Sequence, residues 1–207
     1  MKKRIKAVPL ILCAALMAGL VGCANTPSTS SGQDASTSGQ IKIGIIQYME
    51  HDALDAAKEG FIKALADNGY EDGKNIVLDV QNAQSDQSNL KSISQRFVND
   101  DKDLVLAIAT SAAQAIAAET TEIPILGTAI TDYTAAKLVT SDTAPGGNVT
   151  GTNDMNPIKE QIELLKKLVP NASKVGILYT SNEDNSVLQA RLAKEACEKL
   201  GLNVQEA

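Results

Sequence analysis

The sequence predicts an α/β fold made of doubly wound parallel sheets in two Rossmann-like lobes, the second of them truncated. The run IKIGIIQ at 41–47 is short and β-branched, as strands are, and DLVLAIA at 103–109 is apolar on both faces, as a central parallel strand is. Segments with helical periodicity separate such runs from residue 41 to the end of the chain. This alternation is typical of parallel sheets with right-handed crossovers.

Lobe one is predicted over residues 41–130. Its first strand is followed by a helix through Leu54 and Phe61, and a second strand at 75–80 by a helix through Leu90 and Phe97. The third strand, at 103–109, leads into Ser111-Ala112-Ala113-Gln114, which matches a capping box and predicts Ser111 as the N-cap. A fourth strand is predicted at 123–127.

A hinge crossover is predicted over 131–155, where a polar stretch interrupts the alternation, and a partial lobe two over 156–207. Asn156 is predicted to cap a helix whose first residue is Pro157. A buried strand at 174–179 and a helix capped by Ser186 follow. The last strand begins at Leu202, so the chain is expected to stop inside a second α/β unit and to leave an unpaired sheet edge.

The N-terminus predicts export and a lipid anchor. Residues 1–22 combine four positive side chains with an apolar stretch at 7–21, as a signal peptide does. Leu20-Val21-Gly22-Cys23 resembles the lipobox of bacterial lipoproteins, in which the Cys is lipidated. The Ser-, Thr- and Gly-rich remainder of 23–40 is predicted to be a flexible tether. The protein is therefore expected on the extracytoplasmic face of the cell membrane. Residues 1–22 have two alternative interpretations, as a secretory signal cleaved without lipidation or as a permanent anchor helix.

Composition excludes several classes of protein. The chain has 207 residues, of which 43% are hydrophobic and 21% charged, which suits a packed globular core rather than disorder. A net charge of −6 argues against nucleic-acid binding. His51 is the single histidine, and nucleophile-elbow, phosphate-loop and zinc-protease motifs are absent from the sequence. We therefore predict a protein that is not an enzyme and that uses no cofactor or metal, with Cys197 packed as a small apolar residue.

Candidate ligand contacts follow the predicted strands, because open parallel sheets bind ligands beyond their carboxyl ends. Three tyrosines lie in these segments, Tyr48, Tyr133 and Tyr179, and suggest aromatic walls or rim residues. The helix that starts near Thr110 and Ser111 favours an anion such as a ligand carboxylate. Three acidic residues are candidates for holding an ammonium group or are simply solvated: Asp154, Glu183 and Asp184.

Three segments, KIGIIQYMEHDALD, PGGNVTGTNDM and GILYTSNEDNSVLQ, are similar to the type I periplasmic-binding-protein superfamily. The nearest branch comprises ABC-transporter substrate-binding lipoproteins that include tryptophan- and other aromatic amino-acid-binding members. Asp52 stands where that family often has Pro, and it also suits a first helical turn. The resemblance implies ligand contacts at Tyr48, His51, Thr110, Ser111, Thr128, Asp132, Tyr133, Asn153, Asp154, Asn182, Glu183, Asn185 and Ser186.

The resemblance implies an ABC importer's solute-binding lipoprotein. It would clamp a small ligand, an aromatic or apolar amino acid, between two lobes and deliver it to a permease and its ATPase. Three alternatives stay open: a sensing module for a membrane kinase, a nucleoside-binding homologue, and an exported hydrolase that depends on His51.

Overall fold

The computed structural model describes residues 39–207, and the predicted signal peptide, Cys23 and most of the tether lie outside these residues. The elements are, in chain order, β1 (Ile41–Gln47), α1 (Asp52–Asp67), β2 (Ile76–Asn82), α2 (Gln87–Asn99), β3 (Leu104–Ile108), α3 (Thr110–Glu119), β4 (Ile125–Ile130), β5 (Val149–Asn153), α4 (Ile158–Leu168), β6 (Lys174–Ile177), α5 (Asp184–Lys199) and β7 (Asn203–Glu206). Within 39–207, every helix is too short or too polar to cross a membrane.

The strands form two parallel sheets. The first sheet has the order β2-β1-β3-β4-β5, and the second consists of β6 and β7. We call the first sheet with α1 to α3 lobe one, and the second sheet with α4 and α5 lobe two. The predicted fold class is confirmed, because every strand pairing is parallel and, apart from the helix-free connection between β4 and β5, a helix follows each strand before the next.

Both faces of the first sheet are buried, which explains its continuous apolar strands. Ile43 and Ile45 pack on the side of α1, and Ile46 packs on the side of α2 and α3. On that second side the ring of Phe97 lies directly on Gly44, where a Cβ atom would come within 2.6 Å of the ring. The small residue in β1 is therefore required by the packing of α2.

The fifth strand was not predicted. β5 lies within the segment predicted as a hinge crossover, and it extends the first sheet beside β4. Its sequence VTGTN buries only Val149, so it carries no apolar alternation that could mark a strand. β4 also continues beyond its predicted end at residue 127 to Ile130, with a register irregularity at Ala129, whose φ is 54°.

Two predicted helix caps in lobe two are wrong. α4 begins after Pro157, which occupies the N-cap position that we assigned to Asn156. α5 begins at Asp184, so Ser186 lies inside its first turn, where its Oγ accepts a hydrogen bond from the Thr180 amide at 2.9 Å. A Ser can cap only where the backbone is extended, and the chain enters the helix before it reaches Ser186. Cys197 is buried on α5, as predicted.

A charged cluster beneath α2 ties the edge strand β2 to the sheet. Lys102, whose side chain is 8% exposed, places its Nζ 3.0 Å from Asp79 Oδ2, and Arg96 Nη1 lies 3.0 Å from the same atom. Gln81 Nε2 donates to Asp79 Oδ1 at 2.7 Å. Burial alone would raise the pKa of Asp79, but the hydrogen bonds from Lys102, Gln81 and Arg96 outweigh it and lower that pKa.

We expect Asp79→Asn to lower the free energy of unfolding by about 2 kcal/mol at neutral pH, because Lys102 would lose its buried anion. The depressed pKa means that the carboxylate stabilises the fold above about pH 4 and that this stabilisation is lost as pH falls through the folded-state pKa. Urea denaturation should therefore show the difference from wild type shrinking below about pH 4. Asp67→Asn, which removes the exposed partner of Lys63, is the control and should change stability by less than about 1 kcal/mol. A difference that stays constant with pH would contradict this account.

Candidate ligand-binding site

The carboxyl edge of the first sheet, where β1 to β5 end, concentrates backbone strain. Six described residues other than glycine have a positive φ, and four of them follow or end these strands: Gln84 at 54°, Ser85 at 63°, Ala109 at 82° and Ala129 at 54°. Such conformations cost about 1–3 kcal/mol each and cluster at binding sites. This edge, which the sequence also predicted, is therefore the candidate site.

The start of α3 is buried at this edge and has no side-chain cap. The prediction that Ser111 caps α3 is wrong: Ala109 occupies the N-cap position, and Ser111 is already in the first turn. Thr110 and Ser111 are 3% and 9% exposed, and the Thr110 hydroxyl is buried without a partner among the described residues. The first-turn N–H groups thus stay available to a ligand, and the helix dipole favours a negative one.

A cavity of about 450 Å³ lies between this helix start and lobe two. Asn182 lines it from lobe two, and Glu183 beside it occupies the N-cap position of α5, which also has no side-chain cap. The residues lining the cavity are Gln87, Ser111, Gln114, Ala115, Asn182 and Asp184. Two uncapped helix starts, one from each lobe, therefore meet at a single cavity.

Hydrogen bonds join the two lobes beside this cavity. Gln114 Nε2 donates to Asp184 Oδ2 at 2.9 Å, and Gln189 Nε2 lies 3.5 Å from Thr131 Oγ1. The bond to the Asp184 carboxylate is exposed to water and the one to Thr131 is long, so each contributes on the order of 1 kcal/mol. The lobes are thus held in contact by weak and reversible links.

The loop after β1 carries two predicted contacts. Tyr48 is half-buried, and burial followed by the neighbouring Glu183 carboxylate raises the pKa of its phenol. This places Tyr48 of lobe one beside Glu183 of lobe two. His51 is exposed and caps α1, accepting a hydrogen bond from the Ala53 amide through Nδ1 at 3.2 Å. Its ring is thus engaged as a cap, one of the roles that a lone histidine at a helix start suggests.

A second group of predicted contacts surrounds another cavity, of about 470 Å³, beside β5. Tyr133 is only 7% exposed, and its hydroxyl donates to the Thr152 carbonyl at 3.1 Å. Burial, with the nearby Asp154 carboxylate, raises the pKa of Tyr133 to about 12. Asn153 lines the same cavity, and the Thr128 hydroxyl lies 3.2 Å from that of Thr152. Little of the Tyr133 ring is exposed to face a ligand.

Two of the three remaining predicted contacts, Asp132 and Ser186, bond to nearby backbone. Asp132 Oδ1 accepts from the Ala135 amide at 2.7 Å, and Ser186 is engaged with Thr180 as described above. The Asn185 side chain sits half-buried in the first turn of α5. Their roles as ligand contacts stay predictions, as do those of the other named residues.

Sequence reasoning missed two polar residues that line the cavity at the start of α3, Gln87 and Gln114. Each lies in the first turns of a helix that follows a strand of the first sheet, which is the signal that could have found them. Gln114 was assigned to a capping box, and its amide instead donates to Asp184 and to the Ala136 carbonyl, at 3.1 Å. Among the residues from 39 onward, no group of His, Cys, Asp and Glu is arranged to hold a metal ion.

The sequence profile of the family described as ABC transporter substrate binding protein matches residues 42–207. The chain belongs to this family. The resemblance noted in the sequence is thereby confirmed, and the shared property of the family is to bind a substrate.

Relatives within the family are longer than this chain. A tyrosine-binding protein of Clostridioides difficile is 45% identical over 210 residues, which is 100% of this chain and 61% of that protein. A solved structure titled as an ABC domain in complex with L-Trp from Streptococcus pneumonia is 42% identical, with a TM-score of 0.77 over 81% of this chain and 57% of that one. A conserved domain protein from Vibrio cholerae is 39% identical, with a TM-score of 0.78 over the same shares.

The lobe arrangement matches the ligand-bound relative better than an open one. The ligand-free, open structure of a substrate-binding protein with adhesive properties from Clostridium difficile is 47% identical, over 81% of this chain and 57% of that chain, yet its TM-score is only 0.64. The L-Trp complex, at lower identity, scores 0.77. This agrees with the hydrogen bonds that join the lobes here.

Proposed function

We propose that this protein binds an aromatic amino acid between its two lobes and presents it to the permease of an ABC importer. The observation that carries the proposal is the pair of uncapped helix starts, of α3 and α5, at one cavity between the lobes. The uncapped start of α3 leaves N–H donors for an anionic group of a ligand, and the start of α5 brings the Asp184 carboxylate to the same cavity.

The cavity suits a zwitterion. The N–H groups at the start of α3 and the Ser111 hydroxyl would donate hydrogen bonds to the ligand carboxylate, and the helix dipole also favours an anion there. Glu183 and Asp184 at the start of α5 would attract the ammonium group. Tyr48, which lies beside Glu183, offers the face of an aromatic ring to an aromatic side chain.

The relatives support this ligand class. One of them is named a tyrosine-binding protein, and another was solved in complex with L-Trp. This chain spans 61% of the first relative and 57% of the second, and we propose by analogy with them that the whole protein binds an aromatic amino acid. His51, engaged as the cap of α1, supports binding without turnover.

Closure around the ligand would couple binding to delivery. A ligand that touches both lobes adds to the weak links between Gln114 and Asp184 and between Gln189 and Thr131, and so shifts the population toward the closed form. The permease would then distinguish the closed from the open arrangement, as importers that use such receptors require.

Isothermal titration calorimetry with L-tyrosine, L-tryptophan, L-leucine and adenosine tests the ligand class. We expect heat of binding from the two aromatic amino acids and weaker or no heat from the other two, because only the former combine a zwitterion with a flat ring. If only adenosine gave heat of binding, the ligand class would be a nucleoside and not an amino acid. If none of the four compounds gave heat, the proposed function would be wrong.

We further propose that a lipid on Cys23 anchors the protein outside the cell membrane. The support is the order of positive region, apolar stretch and lipobox-like residues at 1–23. Labelled palmitate should be incorporated by the wild type and not by Cys23→Ala, which should pass into the soluble fraction. Incorporation of label that survives this substitution would contradict the assignment.

A further inference from the structure

Gln47 is the last residue of β1, directly before the loop that carries Tyr48 and His51. It is 1% exposed, although it carries a polar amide. Its Nε2 donates to the Met49 carbonyl at 2.7 Å and to Asp55 Oδ1 at 3.0 Å. One side chain thus joins the end of the strand, the middle of the loop and the first turn of α1.

Asp55 completes this connection from the helix side. Its amide donates to the His51 carbonyl at 2.9 Å, and its Oδ1 also accepts from Lys58 Nζ at 2.6 Å. The hydrogen bonds from Lys58 and Gln47 lower the pKa of Asp55, so the acceptor stays charged at neutral pH. Charged acceptors make the stronger hydrogen bonds.

Apolar packing does little to hold this loop. Met49 is 37% exposed, and Glu50 and His51 are exposed as well. A segment that buries so little surface must be ordered by hydrogen bonds or remain mobile. The bond from Gln47 to the Met49 carbonyl is therefore a side-chain restraint on the exposed middle of the loop, beyond Tyr48, whose own backbone is bonded to Ile108 and Ser85.

The carbonyl oxygen of the Gln47 side chain makes it possible to test the effect on the loop separately from the effect on global stability. Its Oε1 is buried and has no partner among the described residues, and a buried acceptor of that kind lowers stability. A methionine of similar size would remove the unpaired oxygen together with the two donor bonds. The substitution should leave global stability nearly unchanged while it loosens the loop.

We propose that Gln47 is a positioning residue, which holds the loop at 48–51 in a fixed geometry relative to the sheet and α1, and so fixes how Tyr48 meets the cleft. The part of this inference that concerns ligand affinity rests on the proposed function. The part that concerns the loop does not.

Gln47→Met tests the inference by hydrogen exchange without ligand, by thermal unfolding and by calorimetry with L-tyrosine. We expect the amides of Ala53 and Asp55, which donate to His51 of the loop in the wild type, to exchange about tenfold faster. The Tm should shift by no more than about 3 °C, and the affinity for L-tyrosine should fall about tenfold. Gln81→Met is the control and should leave the exchange of those amides and the affinity unchanged, because Gln81 lies one residue before the end of β2 and donates its side-chain amide to Asp79 and not to the loop.

Unchanged exchange at these two amides would overturn the inference. So would a lower Tm with faster exchange throughout β1 and β3, because Gln47 would then serve the sheet and not the loop. Asp55→Ala removes the acceptor in the first turn of α1 and should speed hydrogen exchange at the same amides. Exchange in the double variant, Gln47→Met with Asp55→Ala, should be little faster than in either single variant. If wild type binds no aromatic amino acid, the proposed function fails and the exchange pattern still decides the role of Gln47.

Discussion

Gly151→Ala is expected to lower the free energy of unfolding by about 3 kcal/mol or more, through overpacking and backbone strain together. Gly151 has a φ of 155°, and an added Cβ would overlap the Gly127 carbonyl oxygen and the Tyr133 hydroxyl. Gly127 is its partner across β4 and β5, and a Cβ there would lie 2.5 Å from the same hydroxyl. The two glycines let Tyr133 lie against the strand pair and reach the Thr152 carbonyl.

Chemical denaturation of three glycine variants, two of them also combined with Tyr133→Phe, tests this packing. Gly176→Ala is the control, because Gly176 also lies in a parallel strand, β6, and an added Cβ would have no atom within 4 Å. It should change stability by less than about 1 kcal/mol. Adding Tyr133→Phe should recover part of the loss in Gly127→Ala, where the hydroxyl is a main obstacle, and less in Gly151→Ala, where the obstacle is backbone. Equal effects at Gly151 and Gly176 would show that Tyr133 does not pack as described.

Ser111→Ala is expected to weaken binding of L-tyrosine or L-tryptophan about 10- to 100-fold, the usual effect of losing a hydrogen bond to a charged group. Ser111 lines the cavity at the uncapped start of α3, where we place the ligand carboxylate. The hydroxyl does not cap the helix, so its loss should cost little stability. Affinity and Tm should therefore respond differently, and calorimetry with thermal unfolding measures both.

Ser94→Ala is the matched control for this prediction. Ser94 lies on α2, is fully buried, and its hydroxyl has no partner among the described residues, but it lines none of the cavities around the cleft. Removing that hydroxyl should leave affinity unchanged and stability equal or slightly higher. If Ser111→Ala and Ser94→Ala weakened binding equally, the loss would come from a general disturbance of core packing. The ligand carboxylate would then have to bind somewhere other than the start of α3.

Local patterns predicted the interior of lobe one well and its helix starts poorly. The runs at 41–47 and 103–109 form β1 and β3 with both faces buried. Such strands are recognisable in the sequence because a parallel strand that is buried on both faces is apolar at consecutive positions. Ser111 and Ser186 matched a capping pattern, yet neither caps a helix. Whether a serine caps depends on where the backbone turns from extended to helical, and contacts remote in sequence set that point.

The site shows the same division. Strand order places Tyr48, Thr110 and Thr128 at one edge, and that much follows from the alternation of strands and helices. The pairing of Gln114 with Asp184, 70 residues apart in the chain, and the burial of Tyr133 against two glycines do not. Such contacts depend on how side chains from separate elements meet, and no local pattern encodes the distance between them.

Amino-acid order alone thus establishes the α/β class, the parallel strands, the edge at which a ligand is expected and the family resemblance, because each depends on periodicity or on short contiguous motifs. Three-dimensional packing decides that β5 joins the first sheet, that the starts of α3 and α5 are uncapped and share a cavity, and that Gln47 holds the loop after β1. These features arise only when residues distant in the chain come within hydrogen-bonding or van der Waals distance, and that requires the folded molecule.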